Sequence, residues 1–144
     1  MMKKLYICGA VALVSAMPLV ASAGLDGSSK FICASVDVME CLPTEGCNRV
    51  AASDVNIPRF IKVDVKKKQI VTGSKGDKRK TVIKRVEKVD GKLILQGAED
   101  GRKGGERDGV GWSMSVVEGS GDMVFTASGD GVAFVVFGAC TSMD

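Results

Sequence analysis

The stretch VGWSMSVVEGSGDMVFTASGDGVAFVVFGA, residues 110–139, decides the fold class of this chain. It holds three runs rich in apolar, β-branched and aromatic residues, at 110–117, 122–127 and 132–139, and short glycine-containing turns separate them. Runs of about eight such residues joined by tight turns are typical of antiparallel hairpins. The stretch therefore predicts three consecutive antiparallel strands.

The same pattern continues toward the amino terminus, where no segment has the periodicity of a helix. Further strands are predicted at residues 30–38, 60–65, 69–72, 81–89 and 92–96. About eight short strands joined by short turns satisfy their edges best by closing into a barrel. We predict an all-β fold, an antiparallel meander of about eight strands in a small up-and-down barrel. A two-sheet sandwich is the alternative.

The aromatic residues of the last hairpins are expected in the core. They are Trp112, Phe125, Phe134 and Phe137, and Trp112 shares a strand face with Met114 and Val116. A barrel of this size is either filled by its own side chains or holds one small ligand. The sequence does not distinguish between these two interiors.

The first 23 residues have the parts of a cleaved secretion signal. Lys3 and Lys4 precede an almost continuous apolar run, and Ala21-Ser22-Ala23 is a small-x-small cleavage pattern. The run has about 16 residues, fewer than the roughly 20 of a membrane-spanning helix, so a retained transmembrane anchor is the less favoured alternative. We predict cleavage before Gly24, a single domain over residues 24–144, and a periplasmic or secreted product.

Cleavage would leave four cysteines, Cys33, Cys41, Cys47 and Cys140. An even number in an exported chain indicates disulfides, and four cysteines allow three pairings. We favour Cys41–Cys47, which would close a turn, and Cys33–Cys140, which would tie the first strand to the last. A four-thiolate zinc site is the alternative, but the spacing contains no C-x-x-C knuckle. No metal site is therefore expected.

The residue types present exclude several classes of enzyme. The chain has no histidine, and its single tyrosine, Tyr6, lies in the predicted signal. Ser-His-Asp and Cys-His catalysis and histidine-ligated zinc or haem sites are excluded. The Cys-x5-Cys spacing also lacks the two-residue gap of thioredoxin-type redox motifs. We expect no catalytic residue and no cofactor.

Carboxylates are the remaining candidates for acid–base chemistry. Four of them, Glu99, Asp100, Glu106 and Asp108, lie in the segment AEDGRKGGERDG, residues 98–109, together with three basic residues. A glycosidase needs two carboxylates held rigidly across a cleft, which a glycine-rich loop does not provide. The segment is also unlike a calcium-binding loop. We interpret it as a solvated loop.

Charge is distributed unevenly along the chain. Without the signal, Lys+Arg falls from 20 to 18 against 17 Asp+Glu, so the net charge is +1 rather than +3, and specific nucleic-acid binding is not expected. Residues 62–92 nevertheless hold 12 basic and four acidic residues, and residues 110–144 hold four acidic and no basic ones. The candidate binding residues are Lys66, Lys67, Lys68, Lys78, Arg79 and Lys80. If they share one end of the barrel, they would attract an anionic protein or envelope surface. Lysines that only keep strand edges soluble are the alternative.

Several segments of the chain are similar to known proteins. They are VNIPRFIKVDV (55–65), LILQG (93–97), GWSMSV (111–116), FVVFGAC (134–140) and the segment 40–47. Through them the chain resembles an uncharacterised family of small exported β-rich proteins of Gram-negative bacteria. The resemblance implies export and a common fold, but no activity and no site.

A second likeness is to the periplasmic lysozyme inhibitors, which are also small disulfide-tied β-barrels. The segment TASGDGVAF, residues 126–134, is similar to their Ser-Gly loop before an aromatic residue. The further tyrosine and lysine features of that family are missing here. This likeness is therefore one of architecture.

Three functional hypotheses follow from the sequence. The first is a non-enzymatic, exported binding module of the cell envelope whose partner is unknown. The second is a proteinaceous inhibitor of a hydrolase, either a lysozyme or a protease. The third is a carrier of a small apolar ligand, which requires a hollow barrel.

Overall fold

The computed structural model describes residues 24–73, 78–100 and 109–143, and the secondary structure of these ranges consists of strands and turns. The strands are β1 Phe31–Leu42, β2 Gly46–Val50, β3 Phe60–Asp64, β4 Gln69–Thr72, β5 Arg79–Val89, β6 Lys92–Glu99, β7 Val110–Val117, β8 Asp122–Gly129 and β9 Val132–Ser142. The predicted signal at residues 1–23 lies outside the described residues. Every strand pairing is antiparallel, as predicted.

The sheet closes on itself into an eight-stranded barrel. Strands β3 to β9 pair in chain order, and β1 pairs with both β3 and β9. The β1–β9 pairing runs from Phe31 opposite Ser142 to Cys41 opposite Ala133. The barrel therefore has no free edge around its circumference, and the predicted barrel is confirmed over the two-sheet sandwich.

The ninth strand, β2, was not predicted, because the sequence indicated a disulfide-closed turn and a first strand ending at residue 38. The structure shows a hairpin in which the second half of β1 pairs with β2. Gly46, with φ of 75°, turns the chain, but the segment GCNRV lacks the apolar alternation that marks a strand. Four of its five residues are exposed, so the hairpin extends from the barrel wall.

Strand β1 changes its partner at a β-bulge between Ser35 and Asp37. Before the bulge it pairs with β3, and after it with β2. The Ser35 amide donates to the carbonyl of Arg59 at 2.9 Å, and the Ser35 hydroxyl donates to the carbonyl of Pro58 at 2.8 Å. These bonds fix the segment that connects β2 to β3 against the barrel wall.

Both predicted disulfides are present, and each joins residues directly opposite one another on adjacent strands. Cys33–Cys140 links β1 to β9 across a sequence separation of 107, at the seam where the barrel closes. Cys41–Cys47 links β1 to β2 across a separation of 6. One bridge therefore secures the barrel, and the other secures the hairpin.

One half of the barrel is filled by its own side chains. The side chains that point inward in this half are fully buried, among them Phe31, Val63, Leu93, Leu95, Met114 and Met123. The predicted inward face of Trp112, Met114 and Val116 is confirmed, since all three side chains are buried. Phe137 was predicted in the core, but it lies on the outer face and is 44% exposed, because its strand places Val136 inward instead.

Residues 24–30 close this half of the barrel, which we call the capped end. Leu25 is 1% exposed and packs against Gly121 in the β7–β8 turn. The segment is tied down by a hydrogen bond from the Met143 amide to the Lys30 carbonyl. Hydrogen bonds from the Ser28 hydroxyl and amide hold the pKa of Asp26 below its ordinary value. Within the described ranges no helix is long and apolar enough to cross a membrane.

Candidate functional site

The other half of the barrel contains a cavity of about 540 Å³. It lies at the end that carries the β4–β5, β6–β7 and β8–β9 connections, which we call the cavity end. Its wall is mostly apolar and includes the buried side chains of Ile61, Ile70, Trp112 and Ala127 and the half-buried rings of Phe125 and Phe134. Cavities of 300–1,000 Å³ with such walls are the size that binds small molecules. The cavity is therefore the candidate site.

The strand register explains why the barrel is hollow at this level. Ile83, Gly97, Trp112, Ala127 and Phe134 form one row of directly opposed residues across β5, β6, β7, β8 and β9. Large side chains in this row alternate with glycine and alanine. The Trp112 indole occupies the space over Gly97, and Ala127 contributes little volume, so the row does not fill the centre of the barrel.

Gly97 provides the space in which Trp112 lies. A Cβ atom at Gly97 would be 2.3 Å from Cζ2 and 2.6 Å from Cε2 of the indole ring, distances that real atoms do not adopt. On its other side, the indole stacks on Phe125, with ring centroids 6.0 Å apart and planes 23° apart. The indole is therefore fixed against β6 as part of the cavity wall.

Two buried polar atoms on the cavity wall have no hydrogen-bond partner among the described residues. They are the Trp112 indole Nε1 and the Thr81 hydroxyl Oγ1. Trp112 is 6% exposed and Thr81 is 8% exposed. Buried polar groups are almost always hydrogen-bonded, because an unpaired one costs about 1–3 kcal/mol. Two such atoms in one cavity indicate a position where a polar group of a ligand can form hydrogen bonds.

The connection between β2 and β3 covers part of the cavity end. Its residues 55–58 contribute to the lining, and Val55 and Ile57 pack against the core cluster. A hydrogen bond from the Ile57 amide to the Ala52 carbonyl, at 2.9 Å, holds the segment in a compact turn. The cavity is thus bounded by barrel strands and by one connecting segment.

The exposed part of the cavity lining carries charges of both signs. Among the described residues it includes the carboxylates of Glu99, Asp100 and Asp130 and the guanidinium of Arg79. These groups lie at strand ends and in turns, toward solvent, whereas the buried wall is uncharged. An apolar interior with a charged rim suits a ligand that buries its apolar surface inside the barrel.

The six basic residues predicted as a binding group do not lie together. Lys66, Lys67 and Lys68 are in the β3–β4 turn at the capped end, whereas Lys78 directly precedes β5 and Arg79 and Lys80 are its first residues, toward the cavity end. The two groups therefore lie at opposite ends of β4, and the premise that they share one end of the barrel is wrong. Of the six, Arg79 is the one that lines the cavity.

The carboxylates of the segment 98–109 are only partly described. Glu99 and Asp100 lie at the cavity rim, and residues 101–108, including Glu106 and Asp108, lie outside the described residues.

Sequence reasoning missed Thr81 and Gly97 as site residues. A glycine inside a strand often marks a close approach of another group, so Gly97 within LILQG carried a usable signal. Thr81 and Ile83 are two residues apart on β5, so both side chains point into the barrel. The sequence alone does not show which face of β5 points inward, so it does not identify Thr81. Trp112 was placed correctly in the interior, although not as a lining residue.

Comparisons of this chain with protein-family models, with curated proteins and with solved structures found no match.

Proposed function

We propose that this protein binds a small, largely apolar molecule inside its barrel and acts by binding rather than by catalysis. The observation that carries the proposal is the cavity of about 540 Å³ between the filled half of the barrel and its cavity end. Its buried wall is apolar and rigid, since it is built from paired strands rather than loops. Burial of apolar ligand surface is worth about 25 cal/mol per Å², so such a wall favours an apolar ligand.

We further propose that the protein works in the periplasm or outside the cell. The signal-like first 23 residues support export, and two disulfides suit an oxidising compartment. Membership of an exported Gram-negative family, which the sequence resemblance implies, is part of the same proposal. Among the three hypotheses, the structure favours the ligand carrier, because the basic residues that supported an envelope-binding surface are separated.

The cavity contains the chain's single tryptophan, which makes a direct binding test possible. Titration with N-phenyl-1-naphthylamine, a neutral apolar fluorophore, should raise the probe's emission and quench that of Trp112, with saturation at one site. The probe should also raise the thermal midpoint, because a ligand that binds only the folded state stabilises it.

Two matched leucine variants locate the bound probe. Ala127→Leu adds volume inside the cavity, and Ser128→Leu adds the same side chain at the next, exposed position of β8. We expect A127L to weaken probe binding at least tenfold and S128L to leave it unchanged. Equal binding by both variants, or no saturable binding by the unmodified protein, would contradict the proposed function.

A further inference from the structure

We infer that the ligand is an uncharged molecule with an apolar body and an acceptor oxygen, such as a ketone, at its inner end. Trp112 and Thr81 would recognise this oxygen. The inference rests on the proposed function and specifies the chemical class of ligand for the same cavity. It starts from the two buried polar atoms of the described wall that have no hydrogen-bond partner, Trp112 Nε1 and Thr81 Oγ1.

The two atoms lie on the same side of the cavity. Thr81 is on β5 and Trp112 on β7, and β6 lies between these strands. The indole extends across β6 over Gly97. The position that a Gly97 Cβ would take is 2.6 Å from the ring atom Cε2 and also 2.6 Å from the carbonyl oxygen of Val82. Nε1 is bonded to Cε2. Val82 is the residue next to Thr81, so the N–H edge of the indole is close to the strand segment that carries the hydroxyl.

The chemistry of these groups selects the partner atom. An indole N–H is a donor only, and a threonine hydroxyl can donate as well as accept. One oxygen with two lone pairs, as in a carbonyl, can accept from both. The rest of the buried wall is apolar, including Ile61, Ile70 and Ala127. The wall therefore matches a molecule with a single inner acceptor and an otherwise apolar surface.

The charges of the described lining disfavour an anionic ligand. A buried carboxylate needs a cation beside it, because an unpaired charge in an apolar site costs several kcal/mol or more. The basic residue in the described lining is Arg79, which is exposed at the rim, where three carboxylates accompany it. A fatty-acid-type carboxylate would meet no buried cation in the described wall, whereas a neutral carbonyl needs none.

Three naphthalene derivatives of nearly equal size test the inference by calorimetric titration. They are 2-acetonaphthone, a ketone, 2-ethylnaphthalene, which lacks the oxygen, and 2-naphthoate, which is anionic. We expect the ketone to bind about tenfold more tightly than the ethyl compound, since it would satisfy both unpartnered groups. We expect the carboxylate to bind more weakly than the ketone by at least the same factor.

Two variants assign the preference to the two side chains, and Thr81→Val is the nearly isosteric one. Trp112→Phe keeps an aromatic ring but removes the N–H, and Thr81→Val removes the hydroxyl. Each should reduce the ratio of the ketone's affinity to that of the ethyl compound, and this ratio is the readout, because a change in the wall itself alters the affinity for both compounds. Thr126→Val, on the exposed outer face of β8, is the matched control and should keep the full preference.

The possible outcomes separate the inference from the proposed function. If ketone and ethyl compound bind the unmodified protein equally well, the inference fails and the apolar cavity function stands. The same holds if T81V and W112F keep the ketone preference, because the two polar groups then have other partners, such as water. If none of the three compounds binds, the proposed function fails and the inference fails with it. If W112F does not fold, the comparison in the unmodified protein tests the ketone preference and T81V tests its assignment to the cavity wall.

Discussion

At the scale of single residues, Gly97 is the position on which the cavity wall depends most directly. A Cβ atom there would overlap the Trp112 ring at 2.3 Å and the Val82 carbonyl oxygen at 2.6 Å, and a backbone carbonyl in a sheet cannot move aside easily. We expect Gly97→Ala to lower the free energy of unfolding by about 2–3 kcal/mol, as overpacking does in other cores. Denaturant titration measures this loss.

Gly111 is the matched control for this substitution. It precedes Trp112 on β7, and a Cβ there would meet no atom within 4 Å. We therefore expect Gly111→Ala to change the stability by no more than about 0.5 kcal/mol. Equal losses at both positions would show that the strands are sensitive to any glycine replacement. The overlap with the Trp112 ring would then not be the cause of the loss at Gly97.

The residues illustrate what a linear pattern can and cannot predict. Alternation in β7 correctly placed Trp112, Met114 and Val116 inward, because successive side chains of a strand point to opposite faces. In β9 the apolar run is nearly continuous, so alternation does not distinguish the faces, and Phe137 was wrongly placed in the core. The pairing of Thr81 with Trp112 in one cavity depends on register across three strands, which no local pattern encodes.

At the scale of secondary-structure elements, the two disulfides join different parts of the fold. Cys33–Cys140 closes a loop with a sequence separation of 107 and joins the first and last strands of the barrel. In the chain-entropy model such a loop contributes about 4–5 kcal/mol, whereas the short Cys41–Cys47 loop contributes roughly 2–2.5. We expect the C33A/C140A pair to lose more stability than the C41A/C47A pair, as measured by denaturant titration.

Reduction of the unmodified protein is the control for this comparison, because it breaks both bridges without removing any side-chain volume. The loss on reduction should not exceed the combined loss of the two alanine pairs, because the alanine pairs also remove the buried sulfur atoms of Cys33 and Cys140. A C41A/C47A variant that is at least as destabilised as C33A/C140A would contradict the ranking. It would mean that the exposed β1–β2 hairpin supports the barrel more than its contacts suggest.

The turns were predictable from composition, whereas the ninth strand was not. The Val89-Asp90-Gly91 signal indicated a hairpin, and Asp90 and Gly91 both have positive φ, at 49° and 68°, as a tight two-residue turn requires. Strand β2 gave no such signal, because it packs few side chains and is held by pairing with β1 and by its disulfide. A strand that is held mainly by backbone pairing and a disulfide need not show a hydrophobic pattern in its sequence.

At the scale of the whole molecule, the barrel is filled at one end and hollow at the other. At the capped end, Leu25 and long inward side chains complete the core, and toward the cavity end Ala127 leaves space beside the Trp112 indole, which lies over Gly97. The sequence predicted a barrel but not its interior, because a cavity results from the summed volume of inward residues in a particular register. That sum cannot be evaluated before each strand is paired.

The charge distribution of the whole molecule also differs from the expected basic end. Strand β4 is opposite β8 in the order of the barrel, so the lysine-rich β3–β5 wall and the acidic β7–β9 wall face opposite sides. Along the wall, Lys80 is opposite Val71, so the nearest members of the two basic groups, Lys68 and Lys80, are three residues apart, about 10 Å of extended chain. This exceeds the screening length of about 8 Å at physiological ionic strength, so the field of each group is largely screened at the other.

This geometry predicts that binding to anionic vesicles depends on total charge rather than on one basic site. Three triple variants remove equal charge: K66Q/K67Q/K68Q, K78Q/R79Q/K80Q and the control K84Q/R85Q/K88Q on β5. At low salt each should weaken partition into phosphatidylglycerol-containing vesicles to a similar extent, and at physiological salt the unmodified protein should not be retained. A localised site would give a different result. The unmodified protein and the β5 control variant would then stay bound to the vesicles at physiological salt, whereas one of the other two triple variants would not. Vesicle sedimentation across a salt series distinguishes the two outcomes and shows whether the lysines serve any purpose beyond solubility.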